Sequence, residues 1–554
     1  MPETLLNIQN LSISFKDNKV LNNVNIHVPK GKVVAVVGES GSGKSLTSLS
    51  VLGLLPRNAT VQGDIDFIKK QKIIRLTDLG KEELQQLRGD NIAMIFQEPM
   101  TSLNPVITCG AQVAEALILH RKLSRAAAKK ITIRLFDEVR LPDPQKLYNR
   151  YPHEISGGQK QRVMIAMAMS CHPDLLICDE PTTALDVSVQ KEILSLIKKL
   201  QEAHGMSVIF ISHDLNLVAE IADYITVLYK GNIVEQDTAK NIFTQPQHAY
   251  TKALLACQPQ LYDKTQRLPV VADFLEEQEV HIKQAQPLPV SDEVVLSVRN
   301  VSVRYPVKKS ITGKVLQYNN AVNNISFDVC KNETLGLVGG SGCGKTTLGR
   351  AIIGLVKPYT GEIFFNGENL LEKSAAQQKT CSKDIQFIFQ DPYSSLNPRI
   401  KIGDAIAEPL LLNKVYTKSS VKNVVKDWLY KVGLPPAFYD RYPHEFSGGQ
   451  RQRIVIARAL ALQPSFVICD ESVSALDVSV QAQVLNLLND LKRELGFTAI
   501  FISHDLAVVK YVADRIVVMN KGNMEEIGKT EDVYFHPRSS YTKMLLDALP
   551  QPNF

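Results

Sequence analysis

No apolar run in this chain approaches the roughly 20 residues that a membrane-crossing helix needs, so no span of its own is expected. The opening residues, Met1-Pro2-Glu3-Thr4, carry no basic stretch leading into a hydrophobic segment, and no secretory leader is expected either. The 8 cysteines of the 554 residues include no C-x-x-C pair, which argues against a zinc or iron–sulfur cradle. Free thiols in a reducing cytoplasm are the plain reading. A net charge of +6 is too small to argue for a nucleic-acid partner, though it permits contact with an anionic membrane surface. Aromatic residues are sparse at 7%, and the 44% hydrophobic and 22% charged fractions are ordinary for a globular protein.

What the chain has in abundance is itself, twice. Gly38-Glu39-Ser40-Gly41-Ser42-Gly43-Lys44-Ser45 recurs as Gly339-Gly340-Ser341-Gly342-Cys343-Gly344-Lys345-Thr346. Ser156-Gly157-Gly158-Gln159 recurs at Ser447, Asp179-Glu180 at Asp470-Glu471, and Ile211-Ser212-His213-Asp214-Leu215 at Ile502. From Ser156 to Ser447, Glu180 to Glu471 and His213 to His504 the offset is always 291. A lone glycine-rich loop indicates only phosphate binding. Ordered sets at one offset predict two related nucleotide-binding domains, each of about 270 residues and large enough for its own core.

Each half opens with alternating strand-like residues, Leu11 to Phe15 and Val301 to Tyr305. A short apolar strand follows and ends at the glycine loop, and a helix is expected to start at Lys44 and at Lys345. The runs 174–178 and 465–469 read as buried parallel strands. Alternating strands and helices predict an α/β fold with a parallel sheet covered on both faces. Lys44 to Gln97 spans 53 residues and Lys345 to Gln390 spans 45, so a longer hairpin is expected near Lys69 to Gly80. Expected boundaries are one domain over 4–260, a polar, proline-bearing and extended linker over 261–293, and a second domain over 294–554.

The chemistry follows from residue type and place. In the loops, glycines let backbone N–H groups approach phosphates, which assigns Gly38, Ser40, Gly41 and Gly43, with Gly339, Ser341, Gly342 and Gly344, to that cradle. Lys44 and Lys345 are expected on the β/γ-phosphates, and the hydroxyls of Ser45 and Thr346 on Mg²⁺. Asp179 and Asp470 each end an apolar strand, where a carboxylate can hold Mg²⁺. Glu180 and Glu471 are placed to polarise an attacking water. Alone, such a carboxylate pair would as readily cap a helix. Gln97 and Gln390 leave buried strands in a repeated Phe-Gln-x-Pro context, which favours a functional role. His213 and His504 are expected to contact the γ-phosphate, and Phe15 and Tyr305 to stack on adenine, although an aromatic at a strand end is commonly core. Ser156 and Gly158, like Ser447 and Gly449, begin a helix and form a second phosphate-facing cap. Two such helix ends on one domain serve a single ATP poorly, so each half is expected to complete the other's site.

With these residues in view, the chain resembles the ATP-binding-cassette (ABC) family over nearly its whole length. The resemblance includes the D-loops Ala184-Leu185-Asp186 and Ala475-Leu476-Asp477. It implies two tandem P-loop ABC ATPase domains, each with a parallel-sheet core, an antiparallel β subdomain and a helical signature subdomain. It also implies head-to-tail pairing of the halves around two ATP molecules. Site one would join Lys44, Ser45, Gln97, Asp179, Glu180 and His213 to Ser447 and Gly449. Site two would join Lys345, Thr346, Gln390, Asp470, Glu471 and His504 to Ser156 and Gly158. The resemblance implies a place beside metal and nucleotide for Gln97 and Gln390.

Tyr151-Pro152-His153-Glu154, the repeated Tyr-Thr-Lys stretches at Tyr250 and Tyr541 and the run Ser474 to Gln483 resemble the oligopeptide/dipeptide/nickel importer ATPases, as if two paired subunits were fused. That likeness implies an energising subunit on the cytoplasmic face of the inner membrane. Its expected partners are two membrane permease subunits and an extracytoplasmic solute-binding protein, with no nucleic acid. The cargo expected is a peptide or peptide-like compound. Only Cys257 lies near the end of an extension, and no iron–sulfur cluster is expected. Ser472 replaces the usual proline after the glutamate, which would loosen that turn. Cys343, at a helix N-terminus, is expected to have a lowered pKa and to block ATP once alkylated. The alternative is a soluble twin-cassette ATPase acting on ribosomes, but such proteins typically carry an arginine after His-Asp, where this chain has Leu215 and Leu506. A DNA-repair cassette would need zinc-binding cysteine pairs.

Overall fold

The computed structural model describes residues 3–16, 18–97, 102–183, 185–276, 284, 286–309, 315–474 and 476–550. The first half contributes β1 (Thr4–Phe15), β2 (Asn18–Pro29), β3 (Val33–Val37), β4 (Ala59–Lys69), β5 (Lys72–Arg75), β6 (Ile92–Ile95), β7 (Leu175–Asp179), β8 (Ser207–Ser212), β9 (Tyr224–Tyr229) and β10 (Asn232–Thr238). These form an antiparallel sheet in the order β2-β1-β4-β5 and a six-stranded sheet in the order β10-β9-β3-β8-β7-β6. In the second sheet only the β9–β10 pair is antiparallel. β3, Val-Val-Ala-Val-Val, is buried at all five positions, as a parallel strand covered on both faces must be.

The second half repeats the plan with β11 (Val294–Lys309), β12 (Val315–Cys330), β13 (Thr334–Val338), β14 (Thr360–Phe365), β15 (Glu368–Asn369), β16 (Ile385–Ile388), β17 (Phe466–Asp470), β18 (Thr498–Ser503), β19 (Arg515–Asn520) and β20 (Asn523–Lys529). Its sheets run β12-β11-β14-β15 and β16-β17-β18-β13-β19-β20. The β4–β5 hairpin is longer than its counterpart β14–β15 and accounts for the extra residues expected near Lys69. Helices start at Lys44 and Lys345, as the loop chemistry predicts.

Between β6 and β7 stand the helices Cys109–Arg121, Arg125–Glu138 and Gly157–Met169. Ile402–Leu412, Val421–Lys431 and Gly448–Leu460 match them in the second half. One apolar cluster crosses between the halves, from Val37 and Ile193 to Leu485 and Leu545. The helix after each cassette reaches the opposite half: Ala249–Ala256 meets Val478–Leu495, and Ser540–Asp547 meets Val187–His204.

The first part of the linker is packed, not extended. Leu268 is 1% exposed, its N–H donates to Asn486 Oδ1 at 3.1 Å, and its carbonyl accepts from Asn486 Nδ2 at 2.8 Å. Arg267 pairs with Asp490 at 2.7 Å, and Tyr511 Oη donates to the Gln266 carbonyl at 2.9 Å. Leu268 and Val271 supply apolar surface that this polar segment's overall composition concealed. The acidic stretch Glu277 to Glu279, Ala285 and the D-loop alanines Ala184 and Ala475 lie outside the described residues.

Candidate nucleotide site

Both glycine loops sit at the C-terminal edge of a parallel sheet, where β3 or β13 turns into a helix and ligand crevices form. A Cβ on Gly38 would lie 2.1 Å from the Leu228 carbonyl oxygen, and one on Gly339 would lie 2.1 Å from that of Met519. Only glycine allows this close passage of two backbones. Lys44, 5% exposed, curls into its loop and donates to the carbonyls of Gly38 at 2.7 Å and Glu39 at 3.0 Å. Lys345 does the same with Gly339 at 2.7 Å and Gly340 at 3.1 Å.

At the ends of β7 and β17, Asp179 accepts from Ser45 Oγ at 3.0 Å and Asp470 from Thr346 Oγ1 at 2.9 Å. Burial pushes both carboxyls up to about 6, against the hydroxyl's opposing pull. A buried carboxylate clasped to a hydroxyl is a hard-oxygen donor pair, and it fits Mg²⁺ chemistry.

Glu180 and Glu471 follow, with φ of 46° and 45°, a left-handed backbone that costs energy for a residue with a side chain. The backbone therefore enters the turn at the same angle whether proline or Ser472 follows. Gln97 Nε2 donates to Glu180 Oε2 at 3.0 Å, with His213 Nδ1 at 3.2 Å and Thr183 Oγ1 at 3.0 Å from the same oxygen. Gln390 and His504 reach Glu471 Oε2 at 2.8 and 3.3 Å, while Ser474 Oγ donates to the Glu471 carbonyl instead. Burial alone would raise the Glu180 carboxyl, but the His213 hydrogen bond and charge prevail and bring it down to about 2. Glu471 is lowered by the same contest. Burial works against protonation of His213 and His504, yet the facing glutamate raises both.

The halves meet at these loops through their D-loop aspartates. Asp477 Oδ2 accepts from Ser40 N at 2.9 Å and its Oδ1 from Ser40 Oγ at 3.1 Å. Ser479 Oγ donates to Glu39 Oε1 at 2.5 Å, and Asp186 Oδ2 accepts from Ser341 N at 3.1 Å. Ser156 and Ser447 cap their own helices, each accepting from the amide three residues on at 3.4 Å. Among the described residues neither serine, nor Gly158 or Gly449, hydrogen-bonds the opposite loop. A cavity of about 520 Å³ at the second loop is lined by Lys345, Thr346, Gln390, Glu471 and His504, with Gly448 of the same half and Thr183 of the other.

Phe15 is half-buried against the core of its antiparallel sheet, whereas Tyr305 is exposed. Cys343 departs from expectation: burial pushes its thiol up despite the helix N-terminus and Lys345, so it is not an activated thiolate. Residue type and motif alone give no site role to Glu39, Thr183, Asp186, Asp477, Tyr250 or Tyr541. Asp186 and Asp477, and Tyr250 and Tyr541, are visible in the sequence as repeats at the 291-residue offset, but their contacts with the loops are not.

Paired glycine loops, strand-end carboxylates and histidine-held glutamates define a P-loop ATPase with two cassettes. The family model "ABC transporter" matches residues 21–183 and 322–474, and the model "Oligopeptide/dipeptide transporter, C-terminal region" matches 234–280 and 525–554. The chain is 47% identical over 562 residues to the glutathione import ATP-binding protein GsiA of Escherichia coli strain K12, covering 99% of this chain and 89% of that protein. The GsiA of Pectobacterium atrosepticum is 45% identical, with coverage of 99% and 90%. A solved dimeric ATP-binding cassette bound to ADP and Pi aligns with 42% of this chain and 98% of its own at 26% identity, with a TM-score of 0.39. The chain therefore belongs to the ABC transporter family and is one of its ATPases. Nothing in these likenesses supports the ribosome-acting alternative. Among the described residues no helix is long and apolar enough to cross a membrane.

Proposed function

We propose that this chain powers a membrane importer of peptides or peptide-like compounds, with glutathione-like cargo the first to try. The observation that carries import is the oligopeptide/dipeptide-transporter region after both cassettes, in a chain alike end to end to import ATPases. In this reading the domains span 4–260 and 294–554, paired head to tail. The chain sits at the cytoplasmic face of the inner membrane against two permease subunits fed by a solute-binding protein.

Each loop binds the phosphates of one ATP, with Lys44 or Lys345 turning from its loop carbonyls to the β/γ-phosphates. Ser45, Asp179 and Gln97, or Thr346, Asp470 and Gln390, hold Mg²⁺, which supplies charge neutralisation at the phosphates when bound. Glu180 or Glu471, kept ionised by its histidine, orients and polarises the attacking water. Phe15 and Tyr305 receive adenine. Ser447 with Gly449, and Ser156 with Gly158, close on the opposite nucleotide once the halves draw together. No iron–sulfur cluster enters this reading, because Cys257 is the single cysteine near the end of either extension and a cluster needs several.

The test is a tagged pull-down from detergent-solubilised membranes with partners identified by mass spectrometry. Two multi-span subunits are expected, and ribosomal proteins without a permease would overturn import.

A further inference from the structure

The helices after the cassettes do more than join the halves. Tyr250 lies on Ala249–Ala256 and Tyr541 on Ser540–Asp547, 291 residues apart and inside the matched C-terminal regions. The Glu39 N–H donates to Tyr250 Oη at 3.1 Å, and the Gly340 N–H donates to Tyr541 Oη at 3.0 Å. Each tyrosine therefore holds the second residue of its own phosphate loop from behind. Tyr250 is 0% exposed, with its ring 4.2 Å from that of Tyr229. Burial raises both phenols, so the hydroxyls stay neutral.

The same stretch of loop is gripped from the other side by lysine. Lys44 takes the Gly38 and Glu39 carbonyls, and Lys345 those of Gly339 and Gly340. A lysine that turns to phosphate releases those carbonyls and leaves the tyrosine contact in place. The tyrosine is not free to follow, because its helix is anchored on the opposite half. Ala249–Ala256 packs on Val478–Leu495, and Ser540–Asp547 on Val187–His204, where Lys191 Nζ donates to the Asp547 carbonyl at 2.5 Å.

We propose that Tyr250 and Tyr541 are positioning residues of the two phosphate loops. Each hydroxyl fixes the amide of the loop's second residue and makes nucleotide affinity at that loop depend on its C-terminal helix being docked on the other half. The inference rests on the reading of the loops as ATP sites.

The test uses the full-length chain and titration with trinitrophenyl-ATP. Lys345→Ala isolates the first loop and Lys44→Ala the second. Tyr250→Phe removes one oxygen and keeps the ring. It is expected to weaken binding about three- to tenfold at the first loop alone, the loss that one hydrogen bond implies. Tyr541→Phe is expected to do the same at the second loop alone. The thermal midpoint, followed in parallel, separates positioning from packing: affinity falls while the midpoint holds. In Tyr250→Phe the Glu39 amide is also expected to exchange with deuterium faster. Unchanged affinity at both loops, equal losses at both from a single variant, or an unchanged Glu39 exchange rate overturns the proposal. Full binding by the double variant Lys44→Ala/Lys345→Ala would remove the ATP-site reading and the inference with it. Lost binding there beside unaffected tyrosine variants would remove the inference alone.

Discussion

At the rim of the first phosphate loop, Ser40 gives both its amide and its hydroxyl to Asp477, and Glu39 accepts from Ser479. At the second loop, the amide of Ser341 meets Asp186, and Gly340 has no side chain to offer. Asp186 holds back one oxygen to cap its own helix, accepting from Val189 N at 3.0 Å and Ser188 Oγ at 2.8 Å. Asp477 makes no such cap and spends both oxygens across the interface. The two sites thus share their hydrolytic residues but not their latch. The motifs that define the chemistry are duplicated almost letter for letter, and the asymmetry comes from one loop position, Glu39 against Gly340, and from how two equivalent aspartates divide their oxygens.

The largest effects test what the sites share. Glu180→Gln and Glu471→Gln each keep the side chain's shape and remove its charge. Each is expected to cut ATP turnover at its own site by about a hundredfold or more, the scale of general-base catalysis, while sparing nucleotide binding. Single-turnover hydrolysis in each variant checks this, and unchanged turnover in either would remove that glutamate from the mechanism.

The latch itself predicts a smaller, unequal pair. Asp477→Ala breaks two hydrogen bonds to a charged acceptor and Asp186→Ala breaks one across the interface. The first is expected to raise the KM for ATP about three- to tenfold more than the second, discounting for partial exposure. Asp186→Ala also removes a helix cap, so its thermal midpoint should fall more than that of Asp477→Ala. Equal KM changes would erase the proposed asymmetry. Glu39→Gly, which makes the first rim resemble the second, is expected to shift KM only about two- to fivefold. The reverse change, Gly340→Glu, should not by itself restore a latch, because Ser188, the counterpart of Ser479, already gives its hydroxyl to Asp186 Oδ1 at 2.8 Å.

The legible parts of this molecule were those where one residue type has one physical use. Glycines at Gly38 and Gly43 mark a backbone crossing and the helix start at Lys44. Apolar strands ending in Asp179 and Asp470 mark the sheet edge, and a length difference marked the β4–β5 hairpin. What stayed hidden depends on contacts between distant segments. The polar composition around Leu268 reads as a free tether, yet Leu268 docks on the Val478–Leu495 helix of the second half and the short helix carrying buried Val271 packs on Ala249–Ala256. Cys343 reads as activated from its helix terminus, yet burial outweighs the dipole. The signature serines read as contacts in trans, and in this arrangement they cap their own helices.

The linker's docking makes the last difference between the halves one of pH. Lys492, beside Lys264, Thr334 and Glu333, stands where the first half has Gln201, which donates to the Gly31 carbonyl at 2.7 Å. Burial, followed by the neighbouring Lys264 charge, pushes the Lys492 ammonium down to about 7. In the unfolded chain it would titrate near the ordinary lysine value of about 10.4. Between those values the unfolded chain binds a proton that the folded chain lacks, so folded stability rises with pH across this window. The slope from this one group is at most about 1.4 kcal/mol per pH unit, and below pH 7 it vanishes. Lys492→Gln removes the titrating group and should flatten the rise of the second half's thermal midpoint between pH 7 and 9.5. The first half, with glutamine already in place, should show no matching change. Parallel midpoint-versus-pH curves for the parent and Lys492→Gln would mean that Lys492 stays charged in the folded chain, and the two places would then differ by a full charge with no pH-dependent difference in stability.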